Sequence, residues 1–339
     1  MPRVSWTVLA PTILLACANG NSEPSMQNSP PPSSTSAKTP IGPFTTLRGS
    51  AGDELPPGDA STPIVALSSA DATWWVGDTA THATLADAGR VTGSRWLEGG
   101  KRLRVGLGTL DLDARSFAVE PALRPFVKDT IRLVGVAWFP DGKRVALLLD
   151  PPPLRVDKPA PHGYDRNTRD LVIVTLVGTA PPVRRTLTIE GTPIMTASDD
   201  RVIVAGNQTM LFDANGQPLA WPAALPAIAR RVTFGAGVFV VVGADGTITL
   251  LEPRTGSALA TWATPAGTLD AVAFPHGVAA IDVHGTVRIG CRAGATITQA
   301  SEVSAGKAAT NIQVLGDRLV VAADGPEPIR VATLTNPCQ

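Results

Sequence analysis

The sequence predicts an all-β protein: a β-propeller of seven four-stranded blades, with six or eight blades as the alternatives. Three observations carry this prediction. Short β-rich runs are separated by Gly, Asp, Asn and Pro; helical periodicity is weak; and one unit recurs at a spacing near 40 residues. The unit is plainest in VFVVVGADGTITLLEPRTGSALATW (238–262), which reads as an apolar run, a turn, an alternating run, a second turn and a third run.

Each element of the prediction has its own residues. The unit returns in residues 193–214, 231–252, 271–292 and 311–333, and its second turn can be marked at Asn207, Gly246, Gly285 and Gly325. These markers are 39, 39 and 40 residues apart. Further markers fall near 71, 108 and 169, which makes seven units. A blade built this way is apolar on both faces and cannot bury both alone, so radial packing in a ring is the expected solution. Trp221 and Trp262 recur 41 residues apart and Phe234 and Phe274 recur 40 apart, so all four are expected to pack between blades. The last unit lacks an outer strand, because only TNPCQ follows Leu334. The segment 43–48 is expected to supply that strand and close the ring.

Composition narrows the function. The chain has 339 residues, 44% of them hydrophobic, which is enough for a sizeable core. Its 29 basic and 29 acidic residues balance, which argues against nucleic acid as a partner, since that requires a basic face. None of the four histidines, His82, His162, His276 and His284, has metal-ligand spacing. No GxSxG, phosphate-binding loop or GxGxxG opens a helix. No catalytic residue, metal ligand set or cofactor is therefore assigned, and whether the protein is an enzyme stays open, with a non-enzymatic role favoured.

Three groups of residues are candidates for function. Asp245, His284 and Asp324 occupy equivalent second-turn positions in three consecutive units and are expected on one face of the ring. Carboxylate and imidazole there could hold a cation, although Asp-Gly turns need no ligand to explain them. The second candidate is an insertion between Asp150 and Asp170, because Gly108 and Asn207 are 99 residues apart where two periods span about 78. It carries Arg155, Lys158, His162, Tyr164 and Arg166, and a loop this long on a compact scaffold is a candidate binding element. The third group is the cysteines.

The N-terminus reads MPRVSWTVLAPTILLACANGNSEP, with one basic residue before an apolar stretch too short to span a bilayer. Its ending, Leu14-Leu15-Ala16-Cys17, resembles the lipobox of bacterial lipoproteins. The resemblance implies a signal peptide over 1–16 and a diacylglycerol on Cys17. It also implies a location in the bacterial cell envelope; Ala18 in place of an aspartate favours the outer membrane in a diderm cell. Residues 17–42, rich in Ser, Pro and Asn, are expected to be a disordered tether, and 43–339 the propeller. With Cys17 lipidated, Cys291 and Cys338 remain. An even count in an oxidising compartment, at neighbouring positions of successive units, suggests a disulfide.

The turn Phe139-Pro140-Asp141-Gly142-Lys143-Arg144 resembles that of WD40-like and TolB-like propeller repeats, and LLEPRTGSALATW (250–262) resembles one repeat of the quinoprotein-like propellers. The expected function is a lipid-anchored, extracytoplasmic, non-enzymatic scaffold that presents loops to an envelope protein or small ligand. The alternatives are a propeller enzyme acting on a carbohydrate or other small extracytoplasmic substrate, and an accessory lipoprotein of outer-membrane barrel assembly.

Overall fold

Among the described residues, twenty-six short strands account for nearly all the regular structure. The computed structural model describes residues 41, 45–47, 65–67, 74–76, 94–96, 102–111, 116–127, 133–151, 165–191, 193–220, 228–307, 309–315, 318–323, 329–335 and 338. The strands form seven blades. Strand β1 (Thr45–Leu47) comes first in the chain but belongs to the last blade. Blade 1 shows the hairpin β2 (Val65–Leu67) and β3 (Trp74–Val76) among the described residues. Blade 2 is β4 (Ser94–Trp96), β5 (Arg102–Val105), β6 (Gly108–Asp111) and β7 (Ser116–Val119); blade 3 is β8 (Leu133–Trp138), β9 (Arg144–Leu149), β10 (Thr168–Thr175) and β11 (Val183–Thr188). Blade 4 is β12 (Ile194–Ala197), β13 (Arg201–Ala205), β14 (Thr209–Asp213) and β15 (Pro218–Leu219); blade 5 is β16 (Ala229–Gly235), β17 (Val238–Gly243), β18 (Thr247–Leu251) and β19 (Ala258–Ala263). Blade 6 is β20 (Thr268–Phe274), β21 (Gly277–Asp282), β22 (Thr286–Ala293) and β23 (Thr296–Ser304); blade 7 is β24 (Ala309–Leu315), β25 (Arg318–Ala323) and β26 (Ile329–Thr333).

The six blades other than blade 1 are antiparallel meanders, here lettered A to D from the inside out. The A strands β4, β8, β12, β16, β20 and β24 lie side by side in sequence order around the centre. The seventh blade closes as expected: β1 pairs antiparallel with β26, Thr45 opposite Val331 and Leu47 opposite Ile329, and Ile41 bridges Leu334. On the other side of the join, β2 lies beside β25.

The core lies between blades. In β17, alternate side chains serve different neighbours: Val240 and Val242 pack toward blade 6, while Phe239 and Val241 pack toward blade 4. Trp262 and Phe274 are buried in successive interfaces, and the Phe234 ring stands edge-on to Phe239 at 5.4 Å. These three are packing residues; Trp221 lies outside the described residues. Between blades 2 and 3 a 3-10 turn (Pro121–Leu123) runs into one α-helical turn, α1 (Arg124–Val127). It delivers Leu123 and Phe126 to the interface, which the strand pattern gave no reason to expect.

Two turns show how local sequence sets the geometry. At Phe139–Arg144, Asp141 accepts the Lys143 amide at 2.8 Å and Gly142 takes φ +63°, giving the tight hairpin expected of Pro-Asp-Gly. In blade 2 the second turn falls at Gly106-Leu107, so the marker Gly108 is already the first residue of β6. In blade 6 the third strand runs on to Ala293, and Cys291 lies inside it, opposite Gly277 and Thr298. Cys291 and Cys338 are joined by a disulfide, with Cα atoms 5.1 Å apart.

The B–C turn glycine of blade 6 is doubly constrained. Gly285 has φ +72°, its carbonyl accepts the Ala305 amide at 2.8 Å, and a Cβ there would collide with the Gly306 carbonyl. Gly178 has φ +88° with open space around it. Gly285→Ala should therefore cost about 3 kcal/mol or more and Gly178→Ala about 1 kcal/mol in urea unfolding. Deleting residues 41–47 leaves the β26 edge unpaired and should lower the melting temperature by about 5 °C or more in a calorimetric scan.

Candidate functional site: the face of the B–C turns

The second and third strands of each blade meet in turns on one face of the ring. In blades 4, 5 and 6 these turns are short, running through residues 206–208, 244–246 and 283–285. Asp245 and His284 sit at equivalent positions in adjacent blades, as expected, and both are exposed; Asp324 lies outside the described residues. The Asp245 carboxylate is turned onto its own hairpin. It accepts the Thr247 amide and the Thr247 hydroxyl, each at 2.9 Å, and these bonds hold its pKa below the ordinary value. Its geometry is that of a turn residue. His284 donates its amide to Asp282 Oδ1 at 2.8 Å. Asp282 also accepts Thr286 N at 3.0 Å and Arg288 Nη1 at 2.8 Å. Burial works against ionisation, but these donors outweigh it and lower the pKa. Among the described residues, no three His, Cys, Asp or Glu side chains form a group that could hold a metal.

Blade 3 departs from this pattern. Strands β9 and β10 pair in register from Leu149 opposite Asp170, and residues 150–167 connect them at the B–C end of the blade. The insertion is therefore where the repeat spacing put it. Arg155, Lys158, His162 and Tyr164 lie outside the described residues, while Arg166 is described and exposed. The roots of the loop are fixed. Asp165 opens an Asx turn, accepting the Asn167 amide at 2.9 Å, and leads into β10. Arg169, almost fully buried, pairs through Nε with Asp150 at 3.0 Å. Its Nη1 donates to the Ile189 carbonyl at 2.7 Å and the Arg166 carbonyl at 3.3 Å, and its Nη2 donates to the Gly191 carbonyl at 3.1 Å. One guanidinium thus ties both ends of the insertion to the linker leading into blade 4. The repeat pattern did not single out Arg169; the only cue in the sequence is that Asp150 and Arg169 bracket the extra segment.

A second polar arrangement lies at the same end of the A strands. β8, β16, β20 and β24 each carry a bulge near their start, after which Gly135, Arg231, Asp270 and Asn311 take equivalent places. Asp270 is buried. Its Oδ1 accepts its neighbour's amide, Ala271 N, at 2.9 Å and pairs with Arg231 Nε at 3.3 Å; its Oδ2 accepts Ile312 N at 3.2 Å. It therefore links the inner strands of blades 5, 6 and 7. Burial raises its pKa despite Arg231 and the two amides. Exposed Ile228 and Val283 add apolar surface to this face.

No protein-family model and no curated protein matches this chain. Solved structures do. A chain in the crystal structure of the mitotic checkpoint complex superposes with a TM-score of 0.56 at 13% identity, covering 96% of this chain and 99% of that one. The computationally designed Ika8 protein matches at 0.48 and 12% identity, over 81% of this chain and 94% of its own. At such identity the first match supports the WD40-like β-propeller fold and nothing finer.

Asp270 yields a pH prediction with a definite sign. A carboxyl whose native pKa is raised stabilises the fold more when protonated than when ionised, so this extra stability is complete below about pH 3.8 and is lost as the pH rises through the native value. The stability difference between the wild type and Asp270→Asn should therefore shrink as the pH is raised across that window, as measured by urea unfolding at each pH.

Proposed function

We propose that this protein is a non-enzymatic binding scaffold of the bacterial envelope, held to a membrane by a lipid on Cys17 and engaging a protein partner through the B–C face. The observation that carries this reading is the blade 3 insertion: a long excursion on a face of short turns, with both roots clamped by buried Arg169. An insertion that is merely tolerated needs no rigid base, whereas a binding loop gains from having its ends fixed before it meets a partner. The cationic side chains in 152–166, together with Tyr164, suit an acidic or mixed protein surface, and Ile228 and Val283 offer apolar contact on the same face. The segment 17–42 would give the disc reach from the lipid surface.

The test is a cross-linked pulldown from intact membranes with the tagged full chain, run beside a version lacking residues 152–164. A partner captured by the full chain and lost with the deletion is the expected result. The deleted version should keep its melting temperature, because the Asp150–Arg169 clamp is retained. Equal capture by both versions would remove the insertion from the interface.

A further inference from the structure

The opposite face of the ring carries a cleft of about 460 Å³ between blades 5 and 6, walled by the A–B turns of both blades and the C–D turn of blade 6. This volume lies within the range of small-molecule sites, about 300–1,000 Å³. Apolar residues, among them Val238 and Leu250, share the lining with polar groups, and its ionisable lining side chains are Arg292 and His276, with no carboxylate among them.

The backbone that carries both basic groups is held by hydrogen bonds. The Arg292 amide donates to the His276 carbonyl at 2.9 Å, and the guanidinium Nε donates to the Gly294 carbonyl at 3.1 Å. No other hydrogen bond or ion pair to this guanidinium is found among the described residues, which leaves its terminal nitrogens for a ligand. The preceding residue, Cys291, is tied to Cys338, so the strand end bearing Arg292 is covalently anchored. His276 has φ +65° in the Pro275-His276 turn, where the corresponding turn of blade 5 uses Gly237 at φ +77°. A histidine in that conformation costs stability relative to glycine, and strain of this kind gathers at functional positions. Here it places a histidine in the lining of the cleft that Arg292 shares.

We propose that this cleft binds a carboxylate carried on an apolar body. The planar fork of Arg292 takes the two carboxylate oxygens, His276 supplies a further donor, and the wall formed by Val238 and Leu250 takes the hydrocarbon. Two sources share this chemistry: the C-terminal residue of a polypeptide and a free aliphatic or aromatic acid. The site is independent of the B–C face and stands or falls without the reading of the insertion.

The full chain is titrated by calorimetry with N-acetylleucine, with a pentapeptide ending in free leucine, with benzoate, and with N-acetylleucinamide as the neutral control. At least one carboxylate should bind, and the amide should bind about tenfold more weakly or worse. Arg292→Gln should weaken the acid by about tenfold or more at an unchanged melting temperature, and Arg292→Lys should recover part of the loss. His276→Gly should raise the melting temperature while weakening binding, a pairing that a purely structural histidine would not give. Tighter binding of the pentapeptide points to a polypeptide end; tighter binding of benzoate points to a free acid. The proposal is overturned by equal affinity for acid and amide, by no binding up to about 10 mM, or by Arg292→Gln binding like the wild type.

Discussion

A four-stranded sheet that is apolar on both faces can be kept from water only by a neighbour on each side, and the rest of this molecule is arranged around that requirement. The B strands show it most directly. Strands β9, β13, β17 and β21 are buried along almost their whole length, and their alternate residues divide between two interfaces. Ala146 and Leu148 of β9 join the core shared with blade 4, while Val145, Leu147 and Leu149 join the core shared with blade 2. Val202 and Val204 of β13 turn back to blade 3, and Ile203 and Ala205 turn forward to blade 5. Val278 and Ala280 of β21 meet blade 5, and Ala279 and Ile281 meet blade 7. Each fully buried aliphatic side chain contributes roughly 1.5–3 kcal/mol, and no single blade can collect that from both of its faces. The same logic requires the ring to close. Blade 7 borrows β1 for this purpose, which joins the first and last described strands in one sheet.

Closure by packing leaves the two rims free to differ. The strands are short and the turns are held by local bonds, as with Asp245 over Thr247 and Asp141 over Lys143. Changes at one rim therefore need not reach the other. The insertion occupies the B–C rim of blade 3, and the Arg292 cleft occupies the opposite rim between blades 5 and 6. Loop closure entropy grows only slowly with length, so the eighteen-residue connection 150–167 on a prefixed hairpin adds little cost to folding. What such a loop lacks is a defined direction of exit, and the four contacts of Arg169 supply it.

How much of this was legible in the sequence depended on how local each signal is. The repeat is written in turn residues and apolar runs spaced by one period, and those features need no partner to be read. The spacing exposed the insertion, because a surplus of residues between Gly108 and Asn207 has nowhere else to go. The closing strand followed from a missing one, and the Cys291–Cys338 pair followed from the equivalence of neighbouring units. Features that depend on side chains about 40 residues apart left no such trace. Asp270 looks like any acidic residue beside a strand until β16 and β24 bring Arg231 and the Ile312 amide to it. The Arg292 cleft needs two adjacent A–B turns, and neither turn alone suggests a cavity.

Asp270 also shows why a ring held by hydrophobic contact still carries a polar lock at its centre. Apolar faces fix that blades pack, but they tolerate a slide of one blade along another, because aliphatic contacts have little directionality. A buried carboxylate that must satisfy Arg231 from one neighbour and the Ile312 amide from the other tolerates no slide. Any displacement leaves a charge or an amide without a partner in a dry environment. The repeated bulge supports this reading. It recurs at the same point in β8, β16, β20 and β24, yet only at Arg231 and Asp270 is it used for a charge pair. In blade 3 the equivalent residue is Gly135, and the Met195 side chain packs where a Cβ would stand. The backbone feature is common to several blades, and what it positions differs from one interface to the next. Registration between blades is thus set interface by interface, by packing on one side of the ring and by charge on the other.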